Sequence, residues 1–494
     1  MGQPERPRVL RRDEDLRSLR EPRRAALSRA ARSHVAQRQP GDVLGARQVR
    51  GAAARTVARD VRALQDQHGG GPRRRLGPLR LPARDRLRLR LDPGPPREGR
   101  VKIARLEHLH ADAGKGALDF LKLTTDDGVV GWSEYNETFG GVGVSAAIDG
   151  LAPLVVGKDP RAREAIVTTL YAVRRQAPGG VIQQAIAAIE NALLDAQARA
   201  LGIPVYELLG GPQRQRLRLY WSHCGYFRLF ASQQMQIPPL RGLHDIVAQG
   251  KEVVARGFTA LKTNIFLFDA GAPHAHMPGF ARADSEVPGL NAERRIIGAL
   301  RDQLAAFREG AGRDVDILVD LNFNFRTEGF VKVARAMEPF DLFWVEIDSF
   351  DPAALHDIRS RIDIPLASLE SQYTRRGYRE FFERQSVDVA IVDAPWNGVA
   401  ESLKIAALAD TYEVNIAPHN FYGHLATMMN AHFCAVAPNF RIMEIDVDAV
   451  PWIDELYTVP PTIEDGHLVL PTGPGWGTEV NEAGVRKHPA RRPA

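Results

Sequence analysis

The chain has 494 residues, 44% of them hydrophobic, and a formal net charge of +5 at neutral pH. A chain of this length can bury a large core and is expected to form two or three domains. The basic charge is confined to residues 1–100, which hold 26 Arg, no Lys and 11 acidic residues, so the remainder is acidic. This distribution argues against nucleic acid or an anionic membrane as a partner of residues 101–494.

Cysteine content and hydropathy exclude further classes of protein. The two cysteines, Cys224 and Cys434, are far apart and lack neighbours at metal-ligand spacing, so neither a disulfide framework nor a zinc site is indicated. No stretch approaches the roughly 20 apolar residues that span a bilayer, and the N-terminus lacks the apolar core of a secretion signal. We therefore expect a cytoplasmic protein.

Residues 1–100 are rich in Pro and Gly and poor in aromatic residues, which predicts a disordered or extraneous segment. Its exclusive use of Arg resembles GC-rich upstream or out-of-frame DNA read as protein. Under that hypothesis Val101, encoded by a GTG initiation codon, is the start of the protein. The alternative is a functional Arg-rich arm that binds nucleic acid, with an affinity that falls steeply with salt.

Residues 101–215 are predicted to form a small α+β capping domain. Between 101 and about 135 the hydrophobic pattern alternates as in antiparallel strands, with Asp127-Gly128 as a turn signal. Residues 144 to 201 then change to helical spacing, and Gly202 suits a C-terminal helix cap. Two loops of this domain, HLHADAGKG and YNETFGG, are expected to close over the next domain.

From residue 216 the pattern changes to short apolar strands that alternate with amphipathic helices. Eight such units predict a parallel barrel of the TIM type, in the modified (β/α)7β form, over residues 216–455. Residues 456–494 are expected to return to the capping domain and to end in a basic tail. Six candidate residues recur at intervals of 26, 24, 23, 26 and 25, which is one βα unit each time: Asp320, Glu346, Glu370, Asp393, His419 and Glu444.

The C-terminal strand ends of such a barrel meet in one mouth, where catalytic groups lie. Asp320, Glu346 and Glu370 would bring three carboxylates together, and their repulsion would raise their pKa values unless a cation is present. An all-oxygen ligand set favours Mg²⁺, with Mn²⁺ as a substitute. Any one of these acids alone could instead be a helix cap or a loop-bonding residue.

His419 lies one strand beyond Asp393, so the carboxylate can orient the imidazole for proton transfer. Alone, His419 could equally be a core histidine. Lys262 ends the second barrel strand, where it could neutralise a substrate carboxylate or act as a base.

These ordered motifs over residues 101 to about 480 resemble the enolase superfamily, in its mandelate racemase branch. The resemblance implies that Asp320 in VDLN, Glu346 in WVEID and Glu370 in SLES bind the metal, and that His419 and Asp393 form a catalytic dyad. It also implies an electrophilic role for Glu444, and abstraction of the proton α to a carboxylate to give an enediolate that Mg²⁺ stabilises. Homo-oligomers are common in this family, so one is expected here.

The chain departs from the family at its Lys-x-Lys motif, because it reads KTN, with Lys262 first and Asn264 in place of the second lysine. Asn264 cannot exchange a proton with the substrate, which argues against a racemase with two opposed bases. A one-base reaction remains, in which His419 removes the α-proton and a β-hydroxyl leaves as water. The family's acid-sugar dehydratases act in this way.

Four further residues are candidates for binding the substrate: Asn264, Asn322, Ser222 and His223. For Asn322 a turn-forming role at the strand end is an equal alternative. The predicted activity is dehydration of an acid sugar to a 2-keto-3-deoxy acid, with an epimerase, racemase or cycloisomerase on the same scaffold as the alternative. An inactive binding or scaffold protein on this fold is a third reading. The sequence does not identify the sugar, the general acid or the oligomer size.

Overall fold

The computed structural model of the protein describes residues 101–138, 141–268, 271–280 and 289–490. The predictions for residues 1–100, including the nucleic-acid arm, lie outside the described residues. No helix within the described ranges is long and apolar enough to cross a membrane.

The first described region is a three-stranded antiparallel sheet covered by helices, as predicted. Its strands pair in sequence order and are Ile103–Asp112, Ala117–Thr125 and Val130–Tyr135. Three helices follow: Val144–Val155, Arg163–Val173 and Gly180–Leu201. The third ends at Gly202, whose φ of 69° is left-handed and whose N–H bonds the carbonyls of Ala198 and Arg199, which confirms the predicted cap. We call residues 103–208 the cap.

Eight parallel strands form the predicted barrel. They are Arg216–Ser222, Ala260–Thr263, Asp316–Asp320, Trp344–Glu346, Leu366–Ser368, Val389–Val392, Asn415–Pro418 and Met443–Asp446. Neighbours along the chain pair in parallel from the first strand to the seventh. The eighth strand pairs in parallel with the first, and a bridge between Ile416 and Phe440 joins the seventh strand to the segment before the eighth.

Seven long helices connect these strands. They are Leu243–Ala255, Arg294–Ala311, Thr327–Met337, Pro352–Arg359, Thr374–Glu383, Val399–Thr411 and His424–Val436. The eighth strand is followed instead by the 3-10 helix Ile453–Leu456 and the hairpin Ile463–Glu464 with His467–Val469, which pairs antiparallel to the first strand. The barrel therefore has the predicted (β/α)7β form.

Shorter elements lie in the connections. The short helices are Val205–Leu208, Ser232–Met235, Ala394–Asn397 and Glu482–Lys487, and the other 3-10 turns are Phe227–Leu229, Pro278–Phe280 and Glu338–Phe340. A small hairpin, Phe266–Leu267 with His274–Ala275, follows the second barrel strand.

Side chains fill the barrel interior and so determine where the polar groups begin. Leu318 and Trp344 are fully buried in an interior cluster, in which Tyr220 meets Trp344 edge to face at 5.8 Å between ring centroids. Successive side chains of a strand alternate between its two faces, so the residue two positions on points the same way. Asp320 and Glu346 stand two residues after Leu318 and Trp344, which places both acids above this apolar plug, at the mouth.

The cap is joined to the rest of the protein by two buried carboxylates. Asp195, in the long cap helix, accepts hydrogen bonds of 2.8 Å from the backbone N–H groups of Trp132 and Trp476 and from Arg199 Nε. Glu134, in the third cap strand, accepts from two N–H groups at the start of the last barrel helix, at 2.6 and 2.9 Å. The C-terminal segment thus contacts the cap, and the cap contacts the barrel.

Candidate active site

The three predicted metal ligands come from neighbouring strand ends. Asp320 and Glu346 are register partners in adjacent strands, and Leu321 N–H donates to the Glu346 carbonyl at 2.9 Å. Glu370 lies two residues after the next strand, beyond Leu369, whose φ of 94° turns the chain at this point. The structure therefore brings the three acids to one mouth, as the spacing predicted.

Lys262 lies among these acids and is almost fully buried. Its Nζ is 3.0 Å from Glu346 Oε2, 3.0 Å from Glu444 Oε1 and 3.7 Å from Asp320 Oδ2. Burial lowers the pKa of Lys262, but the surrounding carboxylates outweigh burial, so the net pKa lies well above the usual value. Lys262 is thus a permanent cation at the mouth.

The acids carry the electrostatic signature that their clustering predicts. Burial raises the pKa of all three acids, Asp320, Glu346 and Glu370. The main opposing influence is Lys262 at Asp320 and Glu346, and His419 at Glu370. Burial outweighs both cations, so the net pKa of each acid is raised. Glu346 Oε1 is buried and has no hydrogen-bond partner. A buried acceptor without a partner is costly unless a ligand satisfies it. The donor set and this oxygen fit a hard divalent cation.

The His419–Asp393 pair has the geometry of a catalytic dyad. His419 Nδ1 lies 2.7 Å from Asp393 Oδ2, and the other ring nitrogen, Nε2, is 3.5 Å from Glu370 Oε2. Asp393 Oδ1 accepts from Trp396 N–H at 2.7 Å, which fixes the carboxylate. Burial lowers the pKa of His419, but Glu370 and Asp393 raise it more, to about 10.

Glu444 faces the same mouth from the eighth strand. Its carboxylate accepts from Ser222 Oγ, from Asn420 N–H at 2.7 Å and from Lys262. Burial raises the pKa of Glu444, but Lys262, His419 and His223 together lower it by more than burial raises it. The carboxyl group is therefore held ionised. Ser222, predicted to bind substrate, therefore contacts Glu444.

His223 and a cap lysine meet on one acid at the rim. His223, with a positive φ of 47°, lies 2.8 Å through Nδ1 from Asp446 Oδ1. Lys115, in the first predicted cap loop, bonds the other oxygen of Asp446 and donates to the Phe421 carbonyl at 2.9 Å. Residues 108–112 of this predicted loop belong instead to the first cap strand, and the remaining residues, 113–116, bring Lys115 to the barrel mouth. Residues 139 and 140 of the second loop lie outside the described ranges.

Asn264 and Asn322 contact each other at the mouth. Asn264 Nδ2 donates to Asn322 Oδ1 at 3.2 Å, and both side chains are buried. Asn322 also has a positive φ of 45° and donates its N–H to Asp320 Oδ1 at 2.9 Å. Asn322 therefore adopts a turn conformation, as the turn-forming alternative predicts, and it also lies at the candidate site.

Two residues at the site were missed by the sequence reasoning. Asp348, two residues after Glu346, is 3% exposed and its Oδ2 has no hydrogen-bond partner. Tyr422, in the loop after His419, donates its hydroxyl to Asp393 Oδ2, the same oxygen that His419 contacts. The i, i+2 spacing in WVEID was a signal for Asp348, whereas Tyr422 depends on a loop conformation that no local pattern indicates.

A different group of described side chains, in the cap, brings potential metal-ligand atoms closest together. Within the described residues, the three side chains with ligand atoms all within 4.8 Å of one another are His110, Asp119 and Glu137, in the cap. His110 Nδ1 lies 2.7 Å from Asp119 Oδ1, and Asp119 Oδ2 accepts from Glu137 N–H at 2.8 Å. The strand-end acids are more widely spaced, with the ammonium group of Lys262 between them.

Two family models match the chain. Residues 107–210 match the N-terminal domain of mandelate racemase and muconate lactonizing enzyme, and residues 245–484 match the enolase C-terminal domain-like model. The first match falls on the cap, and the second includes the strand ends described above from Lys262 to Glu444.

Individual relatives agree with these matches. The chain is 28% identical over 378 residues to the D-xylonate dehydratase of Haloferax volcanii, covering 74% of this chain and 84% of that protein. It is 30% identical over 397 residues to a D-galactonate dehydratase of Xanthomonas campestris pv. campestris, covering 77% of this chain and 93% of that protein. A solved structure of a proposed L-alanine-DL-glutamate epimerase from Burkholderia xenovorans, bound to magnesium and fumarate, is 47% identical with a TM-score of 0.77, over 78% of this chain and 96% of that one. The chain therefore belongs to the mandelate racemase and muconate lactonizing enzyme branch of the enolase superfamily.

Proposed function

We propose that the chain is a Mg²⁺-dependent hydro-lyase that converts an acid sugar into a 2-keto-3-deoxy acid. The observation that carries this proposal is a single dyad, His419 with Asp393, beside a carboxylate cluster, with Asn264 in place of a second base. The dehydratases among its relatives support the substrate class.

Asp320, Glu346 and Glu370 would hold the metal. The ion, when bound, would supply Lewis-acid stabilisation of the negative charge that develops on the substrate carboxylate. Lys262 adds a fixed positive charge at the same place, because the acids around it keep it protonated.

His419 is the proposed base. Its Nδ1–H donates to Asp393, so Nε2 is left to take the α-proton of the substrate. Glu370 raises the pKa of His419 more than any other single group does. Neutralising that carboxylate brings the pKa back towards the range in which an imidazole accepts a proton at neutral pH.

Elimination follows from the loss of this proton. The C–H electron pair first moves into the substrate carboxylate as an enediolate, and it then forms a carbon–carbon double bond as the bond to the β-hydroxyl breaks, so that the hydroxyl takes a proton and leaves as water. The resulting enol then tautomerises to the 2-keto acid. His419 can return its proton in a syn elimination, and another group is the alternative acid.

The roles of the remaining residues stay predictions. An electrophilic role for Glu444 needs a protonated carboxyl group, whereas Lys262 and its other neighbours hold it ionised. We therefore assign Glu444 to orienting Lys262. Four residues remain candidates for binding substrate: Asn264, Asn322, Ser222 and His223.

The domain boundaries also remain predictions, at 101–215, 216–455 and 456–494. So do the homo-oligomer and the cytoplasmic location.

The direct test is turnover of a panel of aldonates and aldarates with Mg²⁺, followed by a colour assay for 2-keto-3-deoxy acids. Dehydration of at least one acid sugar is expected, and Asp320→Asn and His419→Asn should each abolish it. Chelation of the metal should abolish turnover, and added Mn²⁺ should restore it. No keto acid from any member of the panel would contradict the proposal.

Epimerisation is the second candidate, because the 47% identical structure is described as an epimerase. Incubation in D₂O separates the two reactions. An epimerase returns unrearranged substrate labelled with deuterium, whereas a dehydratase gives the keto acid. Asn264 disfavours the epimerase, because a two-base epimerisation needs a proton-transfer group on the opposite face.

A further inference from the structure

A cavity of about 500 Å³ lies between helices of the cap and helices of the barrel. Two cap helices, Arg163–Val173 and Gly180–Leu201, form one wall, and two barrel helices, Thr374–Glu383 and Val399–Thr411, form the other. The described residues that line the cavity include none of the candidate residues of the barrel mouth. A volume of this size is typical of sites for small molecules.

Glu190, in the long cap helix, brings a buried acceptor to the wall of this cavity. The residue is 2% exposed, and no described group donates a hydrogen bond to its Oε2. Burial raises the pKa of Glu190 to about 7, although Arg163 and Lys404 oppose the rise. A carboxyl group keeps an acceptor oxygen whether or not it is protonated. A ligand that carries a hydroxyl group would supply the missing donor in either state.

The charged side chains that line the cavity are mostly basic. Arg375 is paired with Glu401 at 2.6 Å, and Lys404 lies 3.3 Å from Glu164. The other three basic side chains have no acidic partner among the described residues: Arg174 and Arg175 at the cap wall, and Arg376 at the barrel wall. Guanidinium groups bind carboxylate and phosphate groups through paired hydrogen bonds. The lining therefore favours a ligand with an anionic group.

The short helix Ala394–Asn397 connects this cavity with the dyad. Asn397 lines the cavity and donates from Nδ2 to the Asp393 carbonyl at 3.1 Å. Trp396, in the same helix, donates its N–H to Asp393 Oδ1 at 2.7 Å. A ligand in the cavity would therefore lie against the element that orients Asp393.

We propose that this cavity is a second binding site, which takes a small hydroxylated anion. A hydroxyl group of the ligand donates to Glu190, and its carboxylate or phosphate group pairs with Arg175 and Arg376. The ligand thereby joins the cap wall to the barrel wall. Sugar phosphates and sugar acids both have this chemistry, and the experiment separates them. The inference is independent of the reaction proposed at the mouth.

Calorimetry on the full chain with Mg²⁺ tests the site, with glucose 6-phosphate and glucuronate as the probes. Glucose, inorganic phosphate and acetate each carry only one half of the required chemistry. We expect at least one probe to bind at least about tenfold more tightly than any of these three compounds. The tighter probe identifies the anionic group as phosphate or carboxylate.

Substitutions then locate the bound probe. Glu190→Leu removes the acceptor and should weaken binding about tenfold, and Arg376→Gln should weaken it about fivefold. Arg379→Gln, at an exposed arginine of the same helix outside the cavity lining, is the matched control and should change nothing. Glu346→Gln alters the mouth and should also leave the dissociation constant unchanged. Thermal melting shows whether each variant is folded, and Arg376→Gln, at an exposed position, decides if Glu190→Leu is not.

Failure of both probes to bind more tightly than the three smaller compounds would overturn the inference. So would a dissociation constant that stays the same in folded Glu190→Leu or in Arg376→Gln. Weakening by Glu346→Gln would place the probe at the mouth instead. Equal weakening by Arg376→Gln and Arg379→Gln would show attraction by net charge alone, with no site in the cavity.

Discussion

Buried acids occur in two regions of this protein, and their surroundings differ. At the junction of cap, barrel and C-terminal segment, Asp195 and Glu134 have backbone N–H groups as hydrogen-bond donors to their carboxylates. At the barrel mouth, Glu346 and Asp348 each keep a buried oxygen without a donor. The junction acids hold segments together, whereas the mouth acids repel one another and gain a partner only when a ligand binds.

The comparison teaches which buried charges belong to the fold and which belong to function. Burial raises the pKa of Asp195 to about 6, opposed first by Arg199 and then by backbone N–H groups, and it raises the pKa of Glu134 to about 7, opposed mainly by backbone N–H groups. At the mouth, Lys262 is the main opposing influence on Glu346 and His419 is the main one on Glu370. Substitutions in the two regions should therefore separate stability from activity.

The largest effect is expected from Glu346→Gln at the mouth. Turnover with saturating Mg²⁺ should fall at least about a thousandfold, because a metal ligand is lost. The melting temperature in the presence of a chelator should be unchanged or higher, because one repelling charge is removed. Steady-state kinetics and calorimetry measure the two quantities, with the exposed Glu309→Gln as a control that changes neither. Turnover within tenfold of the parent would remove Glu346 from the metal site.

Asp195→Asn should show the opposite pattern. The amide keeps one acceptor oxygen for three donors, from Trp132, Trp476 and Arg199, so the free energy of unfolding should fall by about 2–4 kcal/mol. The kcat of the folded variant should stay within about threefold of the parent. Urea unfolding and kinetics at low temperature measure both. A variant of undiminished stability would show that this carboxylate does not anchor the C-terminal segment.

Glu190 sharpens the comparison, because it is a buried cap acid that has an unpartnered oxygen, Oε2. It lines a cavity of about 500 Å³ between cap helices and barrel helices, and burial raises its pKa to about 7. A carboxyl group whose pKa is higher in the folded protein than its unfolded value of roughly 4.3 stabilises the fold through the proton that it holds. This contribution is fully present below about pH 4. That contribution is lost as the pH rises through about 7.

Glu190→Gln cannot lose a proton, so its stability relative to the parent should increase between pH 5 and pH 8, by about 1–3 kcal/mol. Melting curves across this range provide the measurement, and Glu309→Gln should track the parent at every pH. A difference that does not vary with pH would place the pKa of Glu190 outside the range.

The smallest effect is expected from Tyr422→Phe. The hydroxyl of Tyr422 shares Asp393 Oδ2 with His419, so its loss should loosen the dyad and lower kcat about three- to tenfold, with KM and the melting temperature unchanged. Kinetics over a range of pH distinguish this positioning role from a structural one, because only the former alters the pH profile of kcat. An unchanged kcat would show that Trp396 N–H is sufficient to position Asp393 for its bond with His419.

The sequence predicted most of the barrel and of its mouth, because acidic residues and one histidine recurred at intervals of one βα unit. Asp320, Glu346 and Asp393 each stand at the end of an apolar strand, and parallel strands bring such ends together whatever the loops do. The cap sheet and the Gly202 helix end followed from equally local patterns.

The contacts missed from the sequence join distant segments. Tyr422 reaches Asp393 through a loop, and Glu134 reaches the last barrel helix over 289 residues. Ser222 contacts Glu444 and His223 contacts Asp446, because the eighth barrel strand, which pairs with the first, carries both acids. Hydrophobic periodicity carries no information about such pairings, since they depend on how complete elements pack.

The bonds to Asp195 impose an order on biosynthesis. Trp132 and the long cap helix leave the ribosome early, but Trp476, which donates to Asp195 from 281 residues further on, emerges only after the whole barrel. Chains fold as they are made, beginning with the N-terminal part. Until the last segment is synthesised, Asp195 of the nascent cap therefore lacks one of its three hydrogen-bond donors, so the cap gains its full set of contacts only when the chain is nearly complete.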